Sequence, residues 1–154
     1  MWDFLKGVTS LLLWILLMQV CVNVVQSDGI REALVQYQLD KHEELGKIKY
    51  LAVLGGDPSR SLQRRLREHS IPIRPKSQAE WEFNSDFHKR IADIQTGESV
   101  VILGQGPILA VGIKTVKIYG GYYCGMLCSA GIWYTLERKS GKWVVTEEKL
   151  VVIS

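Results

Sequence analysis

Apolar and polar residues alternate in steps of two through the last third of the chain. Ile132, Tyr134 and Leu136 interleave with Trp133, Thr135 and Glu137, the period of a strand with one buried face. Ser140-Gly141 supplies a turn with a glycine free to take positive φ, and Trp143, Val144 and Val145 then resume a run suited to a pleated surface. A further apolar run covers Leu150 to Ile153. Upstream, Ile113, Val116 and Ile118 predict another strand with Lys114 and Lys117 on its wet side, and Gly120-Gly121 a bend or bulge. These pieces predict a meander of antiparallel strands.

Nearer the start the period changes to that of a helix. Asp28 is placed to cap a helix from Gly29 to Leu45 that Gly46 would end, with Ile30, Leu34 and Tyr37 on one face and Ala33 beside them. His42, among Lys41, Glu43 and Glu44, reads as a solvated residue near the helix end. Lys47 to Leu54 predicts a strand, apolar at Ile48, Tyr50, Ala52 and Leu54 and broken by Gly55-Gly56. Asp57-Pro58 predicts the start of a short helix reaching about His69, with Leu62 and Leu66 inward and Arg60, Arg64, Arg65 and Arg67 outward. A glycine pair before a helix can hold an anion, but no Gly-Lys-Ser/Thr follows and Asp57 would repel a phosphate, so the pair reads as a turn. Ile71 to Trp81, with Pro72 and Pro75, predicts an extended connection, and Trp81 and Phe83 a cover over one edge of the core. Phe87 to Ile94 predicts a strand, Thr96-Gly97 a turn, and Ser99 to Leu103 the next strand. Gly104, Gly106 and Pro107 are expected to interrupt regular structure after it.

The fold class that follows is α+β, an N-terminal helix packed on a curved antiparallel sheet. A length of 154 residues suits a single domain with a real core, spanning 28–154 once the N-terminal segment is set aside. That segment, 1–27, is read as a secretory signal peptide. Lys6 and the amino terminus give a short positive region, Leu11 to Met18 is an unbroken apolar run, and Val25-Gln26-Ser27 offers a small residue before a cut. The second reading is an uncleaved membrane anchor, since Val8 to Val25 nearly spans a bilayer, although Gln19 and Asn23 weaken it. A lipoprotein signal is disfavoured because Met18-Gln19-Val20 precedes Cys21.

The stretch GGYYCGMLCSAGIWYTLERKSGKWVVTEEKLVVIS, from Gly120 to Ser154, resembles the ending of a family of small, exported, functionally uncharacterised proteins. Members share a Gly-Gly-Tyr-Tyr stretch, a Ser-Ala-Gly or similar turn, a strand carrying Tyr, then Gly-Lys-Trp-Val-Val and a final Ile-Ser. The likeness extends more loosely to REALVQYQL, from Arg31 to Leu39, and to Leu54 through Ser59. It implies export and brings no reaction. The last strands are also similar to those of cystatin-like or NTF2-like domains, an analogy of fold that hosts enzymes, binders and spacers alike.

Charge adds one feature. The net charge of +3 is mild, but Arg60, Arg64, Arg65, Arg67, Arg74 and Lys76 lie in a short span whose only acid is Glu68. Such a cluster would suit an anionic membrane surface, a polyanionic glycan or nucleic acid; the plainer reading is a solvated helix face followed by a charged loop. Without aromatic residues interleaved for base stacking it argues against nucleic acid.

Candidate chemistry is sparse. Cys124 and Cys128 flank Gly125-Met126-Leu127, and a hairpin loop there would bring the sulfurs into bridging range; a disulfide is the first reading and two free thiols the second. The cysteine pair is absent from the family ending. His42, His69 and His88 have no ligand spacing, so no metal or other cofactor is expected. Glu147-Glu148, adjacent on a strand, point to opposite faces and form no acid/base dyad. Tyr122, Tyr123, Trp133 and Tyr134, with Tyr119, are the richest aromatic group and the candidate lining of a small-molecule pocket under the sheet; the plainer reading is core and sheet surface. The leading expectation is an exported, non-enzymatic interaction or binding module with a protein or small-molecule partner. The alternatives are an NTF2-like pocket protein, catalytic or not, and a membrane-tethered accessory protein.

Overall fold

The computed structural model describes residues 27–43, 49–83, 89–125 and 128–153; the proposed signal or anchor therefore lies outside the described residues, as do His88 and the predicted stop at Gly46. Helix α1 covers 27–41. Strand β1 (Lys49–Val53), helix α2 (Arg60–Glu68), the short strand β2 (Arg74–Pro75) and a 3-10 turn at Lys76–Gln78 follow. Next come β3 (Ala79–Phe83), β4 (Lys89–Asp93) and four long strands, β5 (Val101–Ala110), β6 (Thr115–Gly125), β7 (Cys128–Lys139) and β8 (Lys142–Ile153). The class is α+β. No helix among the described residues is long and apolar enough to cross a membrane.

The main sheet has six strands in the order β2-β1-β5-β6-β7-β8. Strands β6 to β8 form the expected antiparallel meander and β5 extends it, whereas β1 pairs parallel with both β2 and β5. A parallel neighbour needs a long crossover, here the whole passage from α2 to β4. Within it β3 and β4 pair as a separate antiparallel hairpin. The turn at Ser140-Gly141 has both residues at positive φ (49° and 82°), the geometry that matches strand twist, and the two apolar runs after it join into one strand, β8.

Strand alternation sorts the apolar residues onto two faces. On one, Ile30 and Leu34 of α1 pack on Val116, Ile118, Ala130, Ile132, Tyr134 and Leu136. Beside them Leu62 and Leu66 of α2 pack with Val35 on Leu51, Val101, Leu103 and Cys124. Both helices thus cover the same face. The other face is covered only in part, where Ile91 of β4 and Val100 meet Tyr50, with Ile102 and Tyr123 against them.

Four expectations are corrected. The α1 helix already includes Asp28, which is buried and accepts from the Ser59 hydroxyl (3.3 Å) instead of capping its own helix. The cap of α2 is Ser59, whose Oγ accepts from the Leu62 amide (3.1 Å), while the Asp57 carboxylate accepts from the Ser77 amide (2.7 Å) and ties down the 3-10 turn. Strand β5 runs straight through Gly104, Gly106 and Pro107, because a register shift between Gln105 and Ile108 puts proline where no ladder donor is needed. Ile113 is no strand residue; it stands 99% exposed in the loop before β6.

Candidate ligand groove on the open sheet face

The register places the smallest residues of the sheet in one transverse row. Ala52 of β1 lies opposite Gly104 of β5, Gly104 opposite Gly121 of β6, Gly121 opposite Gly131 of β7, and Gly131 opposite Val152 of β8. Side chains alternate along each strand, so this row belongs to the face away from the helices, as do Tyr50, Ile102 and Tyr123. Four neighbouring strands with almost no side chains leave a trench. It measures about 530 Å³, within the usual range for ligand sites. Ile102, Tyr123 and Ser129 line one wall, Leu54, Pro107 and Tyr119 the other.

Two of the floor glycines are demanded by their surroundings, one by backbone and one by a neighbouring side chain. Gly121 has φ +146°, and a Cβ there would fall on the Ala130 carbonyl. At Gly131 the space is already held by the Tyr119 ring, which crosses diagonally from β6. Gly104 differs: its nearest neighbour to an added Cβ is the Gly121 oxygen at 4.0 Å, so its lack of a side chain leaves open space.

The rim carries a second departure from the ordinary. Leu54 sits at φ 53° in a two-residue turn closed by Val53 and Gly56, which exchange amide bonds of 2.9 and 3.0 Å. A left-handed conformation is costly for leucine, and this side chain is also 66% exposed. The Leu54 amide donates to the Gln105 carbonyl (2.8 Å), which holds the turn against β5.

Beneath the trench, on the helix side, the same kinked strands are sealed by polar side chains. Gln38 donates to the Gly121 carbonyl (3.2 Å), Arg31 to the Gly106 carbonyl (3.1 Å), and Gln105 to the Arg31 carbonyl (3.1 Å). Bulged backbone leaves carbonyls outside the ladder, and α1 supplies their donors. Tyr134 is fully buried here, its ring edge-on to Tyr37 with centroids 6.1 Å apart. Burial pushes the pKa of its phenol up to about 12, with Gln38 pulling the other way, and the hydroxyl makes no hydrogen bond of good geometry.

The four candidate aromatics are therefore divided between faces. Tyr123 lines the trench and stacks edge-on with the half-exposed Trp81 (4.9 Å between centroids). Tyr122 borders the trench while its ring lies near that of His42 on the helix side (4.6 Å). Trp133 packs edge-on against Tyr119 (5.3 Å) without lining the trench, and Tyr134 belongs to the core. Glu148 accepts from the Tyr37 hydroxyl (2.9 Å) and pairs with Lys41, whereas Glu147 meets Thr135, the opposite faces expected of adjacent strand residues.

Cys124 and Cys128 form a disulfide across the β6–β7 turn, with Cα atoms 5.2 Å apart. Four of the six clustered cations have partners: Arg65 with Glu32 (2.6 Å), Arg74 with Asp93 (2.9 Å), Lys76 with the Gly55 carbonyl (2.8 Å), and Arg64, at the longer distance of 3.9 Å, with Glu68. Arg60, Arg64 and Arg67 stay exposed on α2. Among the described residues no group of His, Cys, Asp and Glu is arranged to hold a metal ion.

Sequence reasoning passed over the glycine row because its members lie on three strands and become neighbours only through register. The Gly120-Gly121 pair was its one visible sign. Comparison with protein-family models, with curated proteins and with solved structures gives no match.

Proposed function

We propose that this chain is an exported, non-catalytic binding module whose transverse trench holds a small, flat apolar molecule bearing a ring or acyl chain. The glycine row carries this reading. Glycine weakens a strand interior, and where it is not needed for backbone geometry it marks a close approach by a ligand. Gly104 is such a position. The backbone groups of the floor are committed to the sheet, so a guest would gain apolar contact, the Tyr119 hydroxyl over Gly131 and the Tyr123 hydroxyl at one wall. Among the described residues no carboxylate, imidazole or thiol lines the trench, which favours holding over chemistry. Export rests on the N-terminal signal pattern and on the likeness of the last third to a family of small exported proteins. Within the α+β class, a helix across an antiparallel meander favours a cystatin-like or NTF2-like arrangement, with the parallel β1–β5 pair as an addition. The helix side, where an NTF2-like pocket would open, is filled by Tyr134, Gln38 and Gln105, which moves the proposed site to the other face.

The test is titration with N-phenyl-1-naphthylamine, a neutral fluorophore of suitable shape. Saturable fluorescence is expected for the wild type. Gly104→Leu, which fills the trench without meeting backbone, is expected to weaken binding by about tenfold or more while the melting temperature holds. Equal affinity in the two proteins, or no saturable signal, would remove the trench as the site.

A further inference from the structure

The contacts between the two helices fix where the apolar N-terminal segment meets the domain. Asp28, at the start of α1, lies against Ser59, the cap of α2 (3.3 Å). Glu32, one turn on, accepts from Arg65 (2.6 Å) and contacts His69. The two helices thus run side by side in the same direction, and both begin where residues 1–26 join the domain.

On α2 the exposed cations form a stripe. Arg60, Arg64 and Arg67 fall at i, i+4 and i+7, within about 60° of one another around the axis, and Leu62 and Leu66 lie on the opposite side. Acids that would neutralise this face are mostly taken: Asp28 by Ser59, Glu32 by Arg65 and His69, Asp57 by the Ser77 amide. Glu68 alone approaches, at 3.9 Å from Arg64, and Arg60 and Arg67 make no ion pair among the described residues.

We propose that this arginine face docks on anionic lipid headgroups of the membrane that holds the apolar stretch Val8–Val25, in chains that retain it. Two independent observations meet here: a positive stripe with nothing to neutralise most of it, and a membrane-seeking stretch that enters the domain beside the first of its arginines. Seven residues of helix separate Arg60 from Arg67, about 10 Å. That is close to the Debye length at physiological salt, so all three charges feel an anionic surface at the entry point. Arginine suits the partner, since its guanidinium fork matches phosphate oxygens.

Arginine footprinting on the intact full-length chain tests it. The protein is reconstituted into vesicles of phosphatidylcholine alone or mixed with phosphatidylglycerol, treated with phenylglyoxal, and read by peptide mass spectrometry. Modification of Arg60, Arg64 and Arg67 is expected to slow several-fold on the anionic vesicles, and high salt to erase the difference. Arg90, exposed on β4, whose Ile91 packs on Tyr50 on the face away from both helices, is expected to react alike on both and serves as the internal reference. Equal rates on the two vesicles, or protection shared by Arg90, would overturn the proposal.

Discussion

The hydroxyl end of Tyr119 occupies the space that a side chain on Gly131 would fill. Tyr119 leans from β6 across to β7, covering backbone that glycine leaves bare, and its other side rests on Trp133. Gly131→Ala would force ring and strand apart, an overpacking cost of about 1–3 kcal/mol. In a Tyr119→Ala background the same change is expected to cost less, because the clash has gone, although Val152 still crowds the site. A denaturant double-mutant cycle reads the coupling; strict additivity would mean the ring moves freely aside.

Leu54 offers a different trade. Leu54→Gly relieves a left-handed backbone that leucine adopts at a cost of about 1–2 kcal/mol, partly offset by the freer unfolded chain. Stability is expected to hold or rise, while affinity for the naphthylamine probe falls because the trench loses part of a wall. Thermal melts and probe titrations on one variant separate the two effects.

Asp93 governs acid stability. Its carboxylate, only 2% exposed, accepts from the Tyr50 hydroxyl, from the Thr96 and Gln95 amides (2.8 and 2.7 Å) and from Arg74, contacts that hold its pKa at about 2. The folded value lies below the unfolded one near 3.8, so the contribution is complete above that pH and drains away as pH falls toward 2. Asp93→Asn is expected to be less stable at neutral pH and to show a flatter loss between pH 4 and 2. Urea midpoints measured across that window check both.

The buried Tyr134 hydroxyl lacks a good partner, so Tyr134→Phe is expected to be neutral or slightly stabilising. Gln38→Leu does the reverse, stripping the donor from the Gly121 carbonyl at a cost of about 1–3 kcal/mol. Equilibrium unfolding of the two variants should move in opposite directions.

The Cys124–Cys128 bridge closes a short loop, for which chain entropy gives roughly 2 kcal/mol. A reductant is expected to lower the unfolding free energy by about that much, and mass spectrometry to show two thiol hydrogens gained. A midpoint unchanged on confirmed reduction would mean the hairpin needs no staple.

The meander was legible because Ile132, Tyr134 and Leu136 repeat at period two with no competing pattern, and α2 because Leu62 and Leu66 face away from its arginines. The parallel pairing of β1 with β5 was not, since Leu51 and Leu103 carry no mark of whom they will meet. Pro107 misled for a local reason: a proline inside a strand reads as a break unless the register shift is known. The trench depends on the same long-range register. Aromatic residues near one another in sequence, Tyr122 with Tyr123 and Trp133 with Tyr134, were bound to part, because neighbours on a strand face opposite ways.

The order of the elements along the chain also sets an order in time. Ile30 and Leu34 are among the first apolar residues of the domain to emerge during synthesis, yet they rest on Val116, Ile118 and Ile132, which emerge among the last. Until then α1 has no surface to cover, and β1 has no β5 to pair with. The face that α1 covers is therefore complete only when strands far along the chain are available, a layout of high contact order. A domain laid out in this way postpones its own closure until the carboxyl-terminal hairpin arrives.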